Sequence, residues 1–135
     1  MPKYSNSSKA NLYTCHEDLI TLFEEVIKYF DCTIICGHRG REAQNKAYRD
    51  GFSTVQYPNS NHNKLPSMAT DAVPYVIDWS DVNRMRFFAG FVLGIASQLY
   101  KEGKIQHRVI SGFDWDGDTE LKDTRFQDAP HFQLV

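Results

Sequence analysis

At 135 residues, 41% of them hydrophobic and 13% aromatic, the chain has the length of one domain and enough apolar material for one packed core. Fifteen Lys and Arg against seventeen Asp and Glu give a formal charge of -2 with the basic residues scattered, so neither nucleic acid nor a membrane surface is expected as a partner. Cysteines at 15, 32 and 36 are too few for a disulfide scaffold and read as reduced thiols.

Residues 1–12 form a polar leader with no apolar stretch of the secretory kind, so no signal peptide is expected. Thr14-Cys15-His16-Glu17 fits a capping box, and Leu19, Leu22, Phe23, Val26, Ile27 and Phe30 follow at the spacing of one helical face. Cys32 to Cys36 is a short β-branched run ended by Gly37, which predicts a buried strand with both cysteines on its core face. Gly37-His38-Arg39-Gly40-Arg41 then leads into a short helix closed at Gly51. A Gly-flanked arginine after a strand is well placed to aim a cation into a cleft, and a surface salt bridge is the plain alternative for Arg39 or Arg41.

Residues 52–67 lack any sustained period and read as a long functional loop. The run from Met68 to Tyr75 reads as a strand stopped by Pro74, with Asp71 inside an otherwise apolar stretch. A lone carboxylate there is costly unless it is paired or bound to metal. Ser80 or Asp81 caps the longest helix, with Met85, Phe88, Val92, Ile95 and Leu99 facing the core, Gly90 and Gly94 allowing a close neighbour, and Gly103 beyond its end. Ile105 to Ile110 alternates as a strand, and the chain closes on another at His131 to Val135. Between them, Asp114, Asp116, Asp118 and Glu120 supply hard oxygens of the kind Ca²⁺ takes, although Gly117 is misplaced for an EF-hand and a solvated acidic turn is the alternative.

His62 and Asp71 lie nine residues apart across a Pro-Ser turn, and Asp128 stands three residues before His131. Catalytic zinc takes three ligands from His, Asp or Glu and leaves one position open, a count that His62, Asp71 and His131 meet. His38 and His107 are competing imidazoles. A carboxylate beside a metal histidine, here Asp128, suits a general base that takes a proton from water and passes it to a leaving amine.

Ser60-Asn61-His62 followed by Ala69-Thr70-Asp71, with Asp128-Ala129-Pro130-His131-Phe132 downstream and Gly37-His38-Arg39 with Gln44 upstream, resembles the zinc D-alanyl-D-alanine carboxypeptidase and dipeptidase family. Within it the chain is most similar to phage L-alanyl-D-glutamate endopeptidases, the endolysins, from about residue 15 onward. The resemblance implies that His62, Asp71 and His131 bind Zn²⁺, that Asp128 is the base, that Arg39 steadies the substrate carbonyl or oxyanion, and that Ser60 contacts substrate. It also suggests Ca²⁺ at the acidic loop. Two differences stand out: Asn63 to Ser67 lengthens the common His-to-Asp interval by two residues, and Cys36-Gly37-His38-Arg39 replaces a Ser-Gly-Tyr-Arg pattern.

The expectation is one α+β domain over residues 1–135, with a small antiparallel sheet carrying the zinc site and helices packed on one side. It would act as a monomer on the peptidoglycan stem peptide, cutting the L-Ala–D-Glu bond for host-cell lysis, and would wait in the bacterial cytoplasm until the membrane is permeabilised. The alternatives are a D,D- or L,D-carboxypeptidase and, from another class, an inactive zinc- or calcium-binding interaction module.

Overall fold

The computed structural model describes residues 2–122 and 127–135. Its centre is a four-stranded sheet of β1 (Cys32–Cys36), β2 (Ala69–Pro74), β3 (Val109–Gly112) and β4 (Asp128–Leu134), in the order β1-β2-β4-β3, every neighbouring pair antiparallel. The helices are α1 (Asn6–Leu12), α2 (Glu17–Val26), α3 (Arg41–Arg49) and α4 (Val82–Lys101), with a 3₁₀ turn at Asn61–Asn63. This is the α+β architecture that the sequence implies. None of these helices is long and apolar enough to cross a membrane.

The core lies between the sheet and the pair α2 and α4. Phe132 of β4 is fully buried and meets Phe23 of α2 at 5.6 Å and Phe88 of α4 at 6.1 Å, both edge-on. Side chains alternate along a strand, so burying Phe132 and Leu134 turns His131 and Gln133 to the opposite face. One face of β4 builds the core and the other builds the site.

The polar leader is a helix. Ser5 caps α1, Leu12 is fully buried, and Ser8 and Asn11 reach across to β1: Ser8 Oγ accepts from Ile34 N at 3.1 Å and Asn11 Nδ2 donates to Ile34 O at 2.9 Å. Polar residues here satisfy the open edge of the sheet instead of facing only water. The cap of α2 is His16, whose Nδ1 accepts from Asp18 N at 3.0 Å, so the Thr14 capping box does not form.

Three further expectations are corrected. The strand predicted from Ile105 begins only at Val109, because buried Asp18 draws off the amides of Gln106 and His107, at 2.9 and 3.1 Å, and the His107 ring Nδ1 at 2.7 Å. Gly90 and Gly94 serve no close packing: a Cβ at either would meet nothing within 4 Å. Cys36 is not a core residue, because an irregularity in β1 between Ile34 and Cys36 ends the alternation and leaves its thiol half-buried beside the site.

Candidate active site

Asp71 and His131 come from the two central strands and stand directly opposite in the β2–β4 register, which sets their side chains on one face. His62 arrives from the long loop. Ser60 Oγ accepts from His62 N at 3.2 Å while Asn63 Oδ1 accepts from Ser60 N at 3.0 Å, closing a capping box around the 3₁₀ turn. Two backbone bonds fold that turn onto the sheet, Arg39 N to His62 O at 2.7 Å and Met68 N to Asn61 O at 3.1 Å. The lengthened interval after His62 is absorbed where Ser67 pairs with the Thr14 and His16 backbone, so it does not carry His62 away.

The three side chains are 2%, 8% and 5% exposed for His62, Asp71 and His131. Their inner atoms form a small triangle: His62 Nε2 to His131 Nδ1 is 3.3 Å, His62 Nε2 to Asp71 Oδ1 3.2 Å, and His131 Nδ1 to Asp71 Oδ1 3.5 Å. Ligands held tetrahedrally about 2.0–2.1 Å from zinc stand roughly 3.3 Å from one another. The triangle has the size of one face of that tetrahedron.

The outer nitrogens fix which atoms point inward. His62 Nδ1 donates to the Gly37 carbonyl at 2.8 Å and His131 Nε2 donates to Gln133 Oε1 at 2.8 Å, which leaves the lone pair of each ring on the inner nitrogen. Asp71 Oδ1 is buried and accepts no hydrogen bond among the described residues, while Oδ2 takes the Arg39 guanidinium at 3.3 Å. Three electron-rich atoms in van der Waals contact need a positive charge between them. When no cation is bound a proton fills that need: burial disfavours charge on His62, yet the Asp71 carboxylate outweighs it and raises the imidazole to about 10. Asp71 in turn is held below the usual carboxylate range, its burial outweighed by the two imidazoles. The donor set therefore fits a divalent cation such as zinc.

Asp128 opens β4 beside this triangle, its Oδ2 3.8 Å from His131 Nδ1. Burial and the neighbouring Asp71 charge push its carboxyl up to about 6. Its position depends on Gly112, where a Cβ would lie 2.0 Å from the Asp128 carbonyl oxygen. Arg39, His62, Asp128 and His131 line one cleft together with Trp115 and the wall Phe52 to Val55. Ser60 lines it too, with its hydroxyl already engaged as the cap.

Among the described residues, His38 joins no metal-binding group, and His107 joins one with His16 and Asp18, apart from the triangle. Asp114, Asp116 and Asp118 converge, whereas Glu120 stays exposed outside that group. Buried Asp114 accepts the Thr119 amide on Oδ2 at 2.8 Å, and its Oδ1 has no hydrogen bond among the described residues. Four contributors were given no part in the site from the sequence: Gly37 through its carbonyl, Gln133, Cys36, which was read as a core thiol, and Trp115. The Cys36 thiol lies 3.9 Å from His62 Nδ1, on the outer side of the ring and so outside the triangle. The Trp115 ring lies 4.8 Å from that of His131. Gln133 alone had a signal, standing two residues from His131 on the same strand face.

Over residues 1–135 the sequence matches the family described as phage L-alanyl-D-glutamate peptidase. The chain belongs to that family. The peptidase also shares its fold with a solved structure, the L-Ala D-Glu endopeptidase ChiX of Serratia marcescens, at 24% identity and a TM-score of 0.72, over 98% of this chain and 90% of the other. No curated protein matches it. It is accordingly a hydrolase of peptidoglycan.

Proposed function

We propose that the protein is a zinc-dependent endolysin that cuts the L-Ala–D-Glu bond of the stem peptide, with His62, Asp71 and His131 holding the metal. The single observation that carries this reading is the donor triangle, with edges of 3.2 to 3.5 Å and both outer ring nitrogens committed to acceptors. When bound there, zinc supplies a Lewis acid that polarises the scissile carbonyl and acidifies water.

Asp128 takes the proton from the attacking water and delivers it to the departing D-Glu amine as the carbon–nitrogen bond breaks. Its carboxyl, raised to about 6, suits both halves of that task near neutral pH. Arg39 holds Asp71 through Oδ2 so that Oδ1 faces the imidazoles, and its fixed charge favours the oxyanion that develops on the alanyl carbonyl. Ser60 acts chiefly by shaping the turn that carries His62 and secondarily as a cleft contact. The scheme takes the enzyme to act as a monomer. Acting on the wall from within, the enzyme waits in the host cytoplasm until the membrane is permeabilised.

A second metal, Ca²⁺, belongs at Asp114, Asp116 and Asp118. The buried Asp114 Oδ1, with no donor among the described residues, is the observation that favours it, since hard oxygens are what that ion takes. Glu120 is left out of this second set.

Asp128→Ala is the decisive substitution for the mechanism. Metal analysis and a wall-lysis assay on the purified variant should find zinc retained and lysis abolished. An unchanged lytic rate would end the proposed role of Asp128.

A further inference from the structure

Helix α3 is polar, and of all its residues only Gln44 is buried, fully shielded from solvent. Helices usually dock through an apolar stripe. This one docks through an amide with all four of its hydrogen-bonding positions filled. Oε1 accepts from Arg39 Nη1 at 3.1 Å and from Asn63 Nδ2 at 3.2 Å, while Nε2 donates to Ser53 Oγ at 2.9 Å and to the Val55 carbonyl at 2.8 Å. The partners fix the orientation, because Arg39 and Asn63 offer only N–H groups to the oxygen and Val55 offers only a carbonyl to the nitrogen.

The two ends of this amide serve different parts of the site. On the oxygen side, Arg39 continues through Nη2 to Asp71 Oδ2, and Asn63, next to His62, also holds the Arg39 carbonyl at 2.9 Å. On the nitrogen side, Ser53 and Val55 belong to the cleft wall. That wall is irregular chain outside any strand, so side-chain bonds rather than a sheet ladder set its place. We propose that Gln44 is a positioning residue of the peptidase, fixing the Arg39 guanidinium and the Ser53–Val55 wall in one relation so that substrate is gripped where the cation already points.

The physical need is clear on both sides. A long arginine side chain left free loses the preorganisation that makes a fixed cation effective where charge develops. A wall displaced by about 1 Å misplaces the peptide, and such errors cost up to ~10²-fold in rate. Gln44 makes no contact with the reacting atoms and acts only through these partners.

The inference rests on the peptidase reading and on the role given to Arg39, and two substitutions separate its halves. Gln44→Met removes all four bonds at similar volume, and kcat should fall about 10- to 100-fold with KM raised as well. Gln44→Glu keeps both acceptors for Arg39 and Asn63 and loses both donors. It should hold kcat within about threefold while KM for a stem peptide rises about fivefold or more, the mark of lost binding without lost transition-state contact. Zinc affinity by chelator competition should stay within about twofold in Gln44→Glu, which keeps the Arg39 and Asn63 bonds and through them the placement of Asp71 and His62.

Should the Met variant fail to fold, Ser53→Ala tests the wall side alone and should raise KM more than it lowers kcat. If the variants lose thermal stability while both kinetic constants stay within twofold of the parent, Gln44 is a structural anchor and the proposal is overturned. Loss of zinc in parallel with activity by Gln44→Glu would overturn it as well. A parent enzyme that cleaves no L-Ala–D-Glu bond would instead refute the peptidase reading.

Discussion

Substituting Gln133 by Met removes the one partner that the outer His131 nitrogen has among the described residues while keeping the length of the side chain. The lost bond is 2.8 Å long, and without it the ring has no fixed tautomer or orientation with which to present Nδ1 to the triangle. Outer-shell partners of this kind are worth about 10- to 100-fold in metal affinity. Gln133 is half-buried and lines the cleft, so water can take over part of the bond and hold the effect near the lower end, about 10- to 30-fold, or roughly 1.4–2 kcal/mol. Competition with a chromophoric chelator reads the zinc affinity directly. Gln133→Glu, a stronger acceptor, should bind zinc at least as tightly as the parent. A Met variant within twofold of the parent would refute the claim that Gln133 orients His131. The same experiment has no counterpart at His62, whose partner is the Gly37 carbonyl, and a Cβ at Gly37 would lie 2.2 Å from Asn11 O and 2.4 Å from Thr14 Oγ1.

The pH profile of kcat/KM should fall on the acid side at or below about pH 6. Only ionised Asp128 accepts a proton; burial and Asp71 place its carboxyl at about 6, and a bound cation favours the ionised form, so an acid limb centred above 7 would contradict Asp128 as base. Calcium should raise the thermal midpoint of the parent and leave Asp114→Ala unmoved, with zinc content the same in both; equal shifts would exclude the Asp114 loop as the calcium site. Asp18→Asn should cost about 1.5–3 kcal/mol, the range for hydrogen bonds to a charged group, measured by urea unfolding at pH 7. Burial raises the Asp18 carboxyl but the His107 and Gln106 bonds lower it further, so its folded value lies below its unfolded one. The contribution is then complete above the unfolded value of about 4 and disappears as pH falls through the folded one, so parent and variant should converge in acid.

The convergence of His62, Asp71 and His131 was legible in the sequence because such residue types are expensive where they stand. A carboxylate inside the apolar run of β2 demands a partner, and two histidines with the right neighbours were available to provide one. β1 was legible for its β-branched run and α4 for its long apolar period. The failures share a cause, namely side chains whose role is set by distant chain. α1 looks like a leader until Ser8 and Asn11 are seen bonding the edge of β1. The residues after Ile105 alternate like a strand, but a carboxylate from α2 claims their amides first. Cys36 keeps the strand period in sequence and loses it in space because β1 is irregular at its end. Gly37 acts through a carbonyl, a group every residue carries, so composition could not single it out. Gln44 was visible as part of a pattern, yet its purpose lies in four partners at positions 39, 53, 55 and 63.

The central claim is that one metal held by His62, Asp71 and His131 drives cleavage between L-Ala and D-Glu. The most direct measurement digests purified peptidoglycan with metal-counted enzyme and identifies the new ends by mass spectrometry, before and after chelation and zinc restoration. The account predicts one zinc per chain at this site, new L-Ala carboxyl and D-Glu amino termini, and activity that is lost and regained with zinc. Released D-Ala in place of those ends, or full activity in enzyme stripped of metal, would contradict it.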